Sequence, residues 1–102
     1  MKGETETVVT IQEARQVLER QFAEHPPAIS GDLYIAPEWF EDEQDFLPVW
    51  GSRQFLLEGR EAFGRWDNLV IFIDKRSGGV REDFHTLNLE KIGKMTPISV
   101  PE

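Results

Sequence analysis

The chain contains no cysteine and no long apolar run, and it is poor in basic residues. The absence of cysteine excludes disulfides, thiol nucleophiles and thiolate metal sites, and it is typical of a reducing compartment. No apolar run approaches the roughly 20 residues that span a bilayer, and residues 1–10 hold no run of signal-peptide length. We therefore expect a cytoplasmic protein.

The 102 residues include 19 acidic and 11 basic side chains, which give a formal net charge of −8. Scarce lysine and arginine argue against nucleic acid or an anionic membrane as a partner, because both are bound through cations. A hydrophobic content of 39% excludes general disorder. We expect a single domain over residues 1–102, with residues 1–7 frayed and a modest folded core over residues 8–96.

The negative charge is concentrated in the first half of the chain. Residues 1–50 carry eleven acids and three bases, whereas residues 51–102 carry eight of each, so the whole net charge belongs to the first half. Five of these acids lie between Glu38 and Asp45. Such asymmetry indicates an interaction surface. A solvated loop that aids solubility is the plainer interpretation of the same run.

The clearest helix signal is the phrase Thr10-Ile11-Gln12-Glu13, which matches a capping box. Apolar residues then recur at helical spacing, at Ile11, Ala14, Val17, Leu18 and Phe22. The helix must end near His25, because Pro26 and Pro27 cannot continue it. We predict one helix from about Ile11 to Glu24 that packs on the sheet of its own domain.

The remaining sequence predicts strands joined by hairpins. We predict strands over Asp32 to Phe40, Phe46 to Trp50 with a continuation at Gln54 to Leu57, Asn68 to Ile73, and Val80 to Phe84. The unbroken apolar run over residues 69–73 is typical of a central strand with both faces covered. The turn chemistry of residues 74–79 predicts an antiparallel hairpin.

Less regular segments complete the chain. Residues 58–67 predict a long loop or a short helical turn, and the acidic segment over residues 41–45 predicts a hairpin loop. The apolar residues between His85 and Met95 predict a short helix or an irregular packed segment that Pro97 ends. The fold class is therefore α+β, with two layers, in which one N-terminal helix packs on an antiparallel sheet of three to four strands.

No motif in the sequence carries recognisable chemistry. His25 and His85 do not share a metal-ligand spacing, and the turn over residues 74–79 lacks the alternating acidic pattern of a calcium loop. The serines have no nucleophile elbow, and no phosphate-binding glycine loop is present. Nothing suggests burial of the carboxylates between Glu38 and Asp45, and unburied carboxylates keep ordinary pKa values. We expect no enzyme activity, no cofactor and no metal.

Aromatic residues beside the acidic run suggest a protein interface, because aromatic side chains are frequent among the residues that dominate binding energy. We expect Trp50 and Phe55 in the core, whereas Trp39 fits either the core or an interface. The candidate partner-binding residues are Glu38, Trp39, Glu41, Asp42, Glu43 and Asp45.

Three segments together resemble a known family. They are Thr10-Ile11-Gln12-Glu13-Ala14 before the helix, Val49 to Phe55 around a tryptophan, and the apolar strand and turn from Ile71 to Val80. In these segments the chain is similar to the YrhB-type domain, also called the immunity protein 35 family, of bacterial polymorphic-toxin systems. The resemblance implies a non-enzymatic antidote that binds a cognate toxin and blocks its active site. It implies a basic toxin domain as partner, because toxins that act on nucleic acid present basic clefts and complementary charge speeds association.

Two other functions stay open at this point. The resemblance also extends to stress proteins, which implies a general protein-binding or chaperone-like module that binds unfolded clients through apolar surface. A small ligand-binding or enzymatic domain on a cystatin-like scaffold would need a concave apolar pocket with converging polar groups. Fold class alone does not choose among the three.

Overall fold

The computed structural model describes residues 9–29, 31–60, 62 and 69–100. The predicted frayed residues 1–7 and most of the predicted loop over residues 58–67 lie outside these ranges. The elements in chain order are α1 (Ile11–Glu24), β1 (Leu33–Ile35), β2 (Glu38–Glu41), β3 (Asp45–Leu47), β4 (Trp50–Ser52), α2 (Arg53–Glu58), β5 (Leu69–Asp74), β6 (Val80–Phe84), a 3₁₀ helix (His85–Asn88), α3 (Leu89–Gly93) and β7 (Thr96–Ser99).

Helix α1 forms as the sequence predicts. The Thr10 side chain accepts a hydrogen bond from the Glu13 amide (3.1 Å), and the Glu13 carboxylate accepts one from the Thr10 amide (2.9 Å). These two bonds close the capping box and satisfy two amides that a helix start leaves free. The apolar stripe of the helix faces the sheet, with Ala14, Leu18 and Phe22 buried.

The strands form a five-stranded antiparallel sheet in the order β6-β5-β3-β2-β7 and a separate two-stranded sheet of β1 and β4. The α+β class with an N-terminal helix on an antiparallel sheet is therefore confirmed, whereas the predicted number of three to four strands is wrong. The predicted strand over Asp32 to Phe40 is interrupted at residues 36–37, so that β1 and β2 join different sheets. The predicted strand over Phe46 to Trp50 is interrupted in the same way at residues 48–49.

The five-stranded sheet buries apolar side chains on both faces. On the helix face, Phe46, Ile71 and Ile73 pack with the buried stripe of α1. On the groove face, as we name the opposite side, Leu47 and Phe72 pack with Met95, beside Ile92 of α3. Strand β5 lies between β6 and β3 and contributes to both clusters, as its unbroken apolar run predicts. Helix α3 therefore adds a partial third layer to the predicted two.

The C-terminal segment contains a strand that the sequence analysis missed. After α3 the chain forms β7, which pairs antiparallel with β2 and includes Pro97. The Val100 amide donates a hydrogen bond to the carbonyl of Pro37, the residue before β2 (2.7 Å). Residues of an antiparallel strand point their backbone groups alternately toward and away from the neighbouring strand, so the nitrogen of Pro97, three residues earlier, points away from β2. A proline is tolerated there because an edge strand needs no donor on its outer side. Val100 is buried, so the packed core extends beyond the predicted end at residue 96.

The segment after β4 was also predicted wrongly. Gln54 to Leu57 does not continue a strand but lies within the short helix α2. Gly59 ends this helix at φ +70°, in the left-handed conformation that glycine adopts without strain, and its amide donates to the Phe55 carbonyl. Phe55 was expected in the core, yet α2 has no buried residue and the Phe55 side chain is 41% exposed.

Among the described residues, no helix has both the length and the apolar character needed to cross a membrane.

Candidate functional site

The acidic segment forms the β2–β3 hairpin, and Asp42 shapes its turn. The Asp42 carboxylate oxygen Oδ1 accepts hydrogen bonds from the amides of Gln44 (2.9 Å) and Asp45 (2.8 Å). This is an aspartate turn, in which the side chain replaces a backbone acceptor and reverses the chain. The backbone closes the hairpin with a bond from the Asp42 amide to the Asp45 carbonyl (3.0 Å).

Asp45 is fully buried on the groove face and is paired with two cations. Arg81 of β6 approaches its carboxylate with Nη2 at 2.9 Å, and Lys91 of α3 with Nζ at 3.0 Å. Lys91 also lies 2.6 Å from Asp42. We call these four residues, Asp42, Asp45, Arg81 and Lys91, the hairpin ion cluster. Cations paired in this way offset the large free-energy cost of burying a carboxylate.

The basic side chains that pair with the hairpin also lie over aromatic rings. Arg81 and Lys91 lie 5.1 Å and 5.5 Å from the centroid of Phe72, within the range of a cation–π interaction. On the helix face, Lys75 pairs with Glu41 at 2.8 Å and lies 4.8 Å from the Phe46 ring. The hairpin is therefore held to β5, β6 and α3 by charge and by apolar contact together.

The pKa directions follow from this geometry. Partial burial raises the pKa of Asp42, but the hydrogen bonds from Lys91 and from the Asp45 and Gln44 amides together bring it below its ordinary value. The hydrogen bonds to Asp45 raise the pKa of Arg81, and those to Asp42 and Asp45 raise the pKa of Lys91 despite its desolvation. The lowered pKa of Asp42 and the raised pKa values of Arg81 and Lys91 therefore keep these three side chains charged at neutral pH.

The structure divides the six candidate binding residues into three pairs. Trp39 and Asp45 are fully buried, and the Trp39 indole nitrogen donates to the Ala36 carbonyl (2.9 Å), so neither side chain reaches the surface. Glu41 and Asp42 are half-buried and paired with lysines. Glu38 and Glu43 are exposed, and neither forms a salt bridge within the described ranges.

The expectation that the acidic run is unburied is therefore wrong for Asp45, because β3 carries it under Lys91 and Arg81. The basic residues that compensate the hairpin were missed by the sequence analysis. The sequence shows that residues 51–102 contain eight bases and eight acids. It does not show the sheet register, which brings Lys75, Arg81 and Lys91 to the hairpin. An open groove beside the hairpin has mixed charge and includes Lys94 as well as Glu43.

A second depression on the groove face is apolar, and we call it the sheet groove. Its floor is formed by Phe40, Leu47 and Val70 of three neighbouring strands. Phe55 and Leu56 of α2 form one wall and Ile92 of α3 the other. Its volume is about 390 Å³, within the range of ligand and side-chain pockets. The space between α1 and the sheet, in contrast, is filled by the core.

Among the described residues, no group of three histidine, aspartate or glutamate side chains is placed to hold a metal ion. Comparisons of the chain with protein-family models, with curated proteins and with solved structures returned no match. The resemblance to the immunity protein 35 family stays a prediction.

Proposed function

We propose that this protein is an immunity protein that binds and neutralises a cognate bacterial toxin in the cytoplasm. The observation that carries the proposal is the pair Glu38 and Glu43, whose exposed carboxylates form no salt bridge with any described residue, on a hairpin whose other acids are ion-paired. An acidic surface of this kind favours a basic partner, because charge complementarity raises the rate of association.

The ionisation of the carboxylates supports binding over catalysis. General acid–base catalysis uses groups whose pKa lies near the working pH. The pKa values of Asp42, Asp74 and Asp83 are all displaced downward, Asp74 mainly by the Ser77 amide and Asp83 mainly by the Phe84 amide. Such carboxylates stay charged at neutral pH and suit recognition of a cation.

The direct test is co-expression with the toxin domain encoded beside the gene of this chain. The wild-type chain should restore growth and form a stable complex with that domain. The double variant Glu38→Lys with Glu43→Lys should slow association by about tenfold at low salt, and the difference should shrink as salt rises.

The matched control for this test is Glu24→Lys, which reverses an exposed carboxylate on α1, away from the hairpin. Reversal at Glu41 or Asp42 is a poor test, because it would break the salt bridges to Lys75 and Lys91 and destabilise the fold. Unrestored growth with the wild-type chain would contradict the proposed function. Equal association rates for the hairpin and control variants would contradict a contribution of the hairpin carboxylates to association.

A chaperone-like module is the second candidate function, and exposed apolar side chains favour it. Leu57, Leu87 and Leu89 are 53%, 74% and 56% exposed. Such residues are suited to weak contact with unfolded clients. This function predicts that the chain suppresses aggregation of an unrelated, chemically unfolded protein, and that replacing Leu87 and Leu89 by serine removes the effect.

A further inference from the structure

We propose that the sheet groove receives an apolar side chain of the partner protein, from a segment that carries basic residues on both sides of it. This inference deepens the proposed function and rests on it, since it assigns the contact through which the toxin is held. It places the main contact on the groove face of the sheet rather than at the hairpin tip.

The groove is suited to an apolar anchor. Its floor and walls come from six apolar side chains of β2, β3, β5, α2 and α3, and Phe55 is left 41% exposed at its mouth. Filling it would remove that apolar surface from water, which is the main favourable term in association. A well-packed pocket at the centre of an interface is where most binding energy is found.

The polar groups of the groove do not suit a small polar ligand. The Ser52 hydroxyl already donates to the side chain of Gln54 (3.0 Å). His85 is the one titratable side chain among the described lining residues. Small-molecule sites depend on several polar groups that converge on the ligand, so an apolar protein side chain fits this lining better.

Carboxylates stand on both sides of the floor. Asp83 lies directly opposite Val70 in the β5–β6 register and therefore shares its face. Glu38 precedes Phe40 by two residues on β2 and shares the same face. Strands β6 and β2 are three strand spacings apart, so their axes are separated by roughly 14 Å. The intervening floor is apolar, so lysine or arginine on both sides of an apolar anchor would meet both carboxylates.

A second copy of this chain is a poorer occupant than a basic partner. Its net charge of −8 opposes self-association near acidic positions. Self-association through pairing of outer strands is also disfavoured, because both outer strands of the five-stranded sheet lack part of their hydrogen-bonding capacity. Pro97 provides no amide on β7, and on β6 the amide and carbonyl of Phe84 are already bonded to Asp83 and Asn88.

The test uses the full chain labelled with ¹⁵N and a short synthetic peptide that has one central phenylalanine and a lysine on each side. Titration should shift the amide signals of Phe55, Val70 and Ile92 saturably, with a dissociation constant of about 0.1–1 mM. A peptide with glutamates in place of the lysines should bind at least about tenfold more weakly. A peptide with serine in place of the phenylalanine should give no saturable shift.

Two matched pairs of variants locate the contact. Phe55→Ser should weaken peptide binding about tenfold, whereas Leu57→Ser, an exposed residue of the same helix outside the groove, should not change it. Glu38→Lys should weaken binding several-fold, whereas Glu43→Lys at the hairpin tip should not. The amide spectrum of each variant reports directly whether it is folded.

The proposal is overturned if the peptide gives no saturable shift at millimolar concentration, or if Phe55→Ser and Leu57→Ser bind equally. Equal binding of the lysine and glutamate peptides would overturn the basic partner and point to an uncharged apolar ligand. If the toxin is neutralised equally well by wild type and Phe55→Ser, the groove assignment fails while the proposed function stands. If no toxin is neutralised but the peptide binds as described, the proposed function fails and the groove remains a binding site.

Discussion

At the scale of single residues, Asp45 illustrates how this small domain buries a charge. Its carboxylate is inaccessible to solvent, yet Arg81 and Lys91 both donate to it, and both cations also rest on the Phe72 ring. Because Arg81 is itself 43% exposed, the outer part of the cluster is screened by water. The burial of Asp45 therefore depends on side chains from β6 and α3.

Replacing Asp45 by asparagine should lower the free energy of unfolding by about 2–4 kcal/mol, because two cations would lose their shared acceptor in a partly desolvated site. Urea denaturation measures the change. Glu43→Gln, an exposed position of the same hairpin, should stay within about 0.5 kcal/mol of wild type. Equal stability of the two variants would show that the hairpin ion cluster contributes nothing net to folding.

At the scale of elements, the β5–β6 turn depends on one glycine. The Asp74 carboxylate accepts hydrogen bonds from the Arg76 and Ser77 amides (2.8 and 2.9 Å), and Gly78 then adopts φ +73°. A Cβ at this position would meet Val9 and Val17 only at ordinary contact distance. The backbone conformation, and not a lack of space, therefore calls for glycine.

Gly78→Ala should destabilise the protein by about 1–2 kcal/mol, because alanine is strained at positive φ. Gly93→Ala is the matched control, since Gly93 lies in α3 with open space around its Cβ position. That change should be neutral or stabilise the protein by up to about 1 kcal/mol. Thermal unfolding of both variants is the measurement, and shifts of the same sign would contradict the argument.

The outer strand β7 of the five-stranded sheet contains a proline that limits its pairing with a further strand. Pro97 of β7 has no amide hydrogen, and its nitrogen faces outward from the sheet. Natural sheets use such prolines to block pairing with the edge strand of another sheet. Pro97→Thr restores the amide and should increase the oligomeric fraction at high concentration. Light scattering measures this fraction. An unchanged oligomeric fraction would contradict a protective role of Pro97.

At the scale of the whole molecule, folding redistributes the charge. The sequence places the entire net charge of −8 in residues 1–50. In the structure, Lys75, Arg81 and Lys91 from the neutral half pair with Glu41, Asp42 and Asp45 from the acidic half. The hairpin is therefore far less acidic at its surface than the sequence suggests, and the exposed carboxylates Glu38 and Glu43 remain.

This pairing predicts a pH dependence of stability. The pKa of Asp42 is lower in the folded than in the unfolded chain, so the unfolded chain binds more protons as the pH falls. The contribution of Asp42 is present above about pH 4 and is lost below it. Lys91 has a raised pKa, so its contribution is present below about pH 10 and is lost at higher pH.

Denaturation curves between pH 5 and pH 3 should therefore show falling stability for the wild type and a shallower fall for Asp42→Asn. Part of the fall should remain in the variant, because the pKa values of Asp74 and Asp83 are also lowered by hydrogen bonds. The same slope in both proteins would contradict a contribution from Asp42.

The sequence by itself determined the elements whose signals are local. The capping box and apolar stripe define α1, the unbroken apolar run defines β5, and the aspartate and glycines define the following turn. Local propensity decides such features because the interacting residues are near in sequence. The candidate site was found in part by the same means, since the exposed carboxylates Glu38 and Glu43 belong to the predicted acidic run.

Only the tertiary structure decided how these elements combine. Breaks at residues 36–37 and 48–49 divide two predicted strands between two sheets, and β7 becomes a strand because β2 offers it an edge. The burial of Asp45 and the formation of the sheet groove depend on Arg81, α2 and α3, which are distant in sequence. Pairing and burial of this kind are fixed by register and packing between remote segments, which no local pattern specifies.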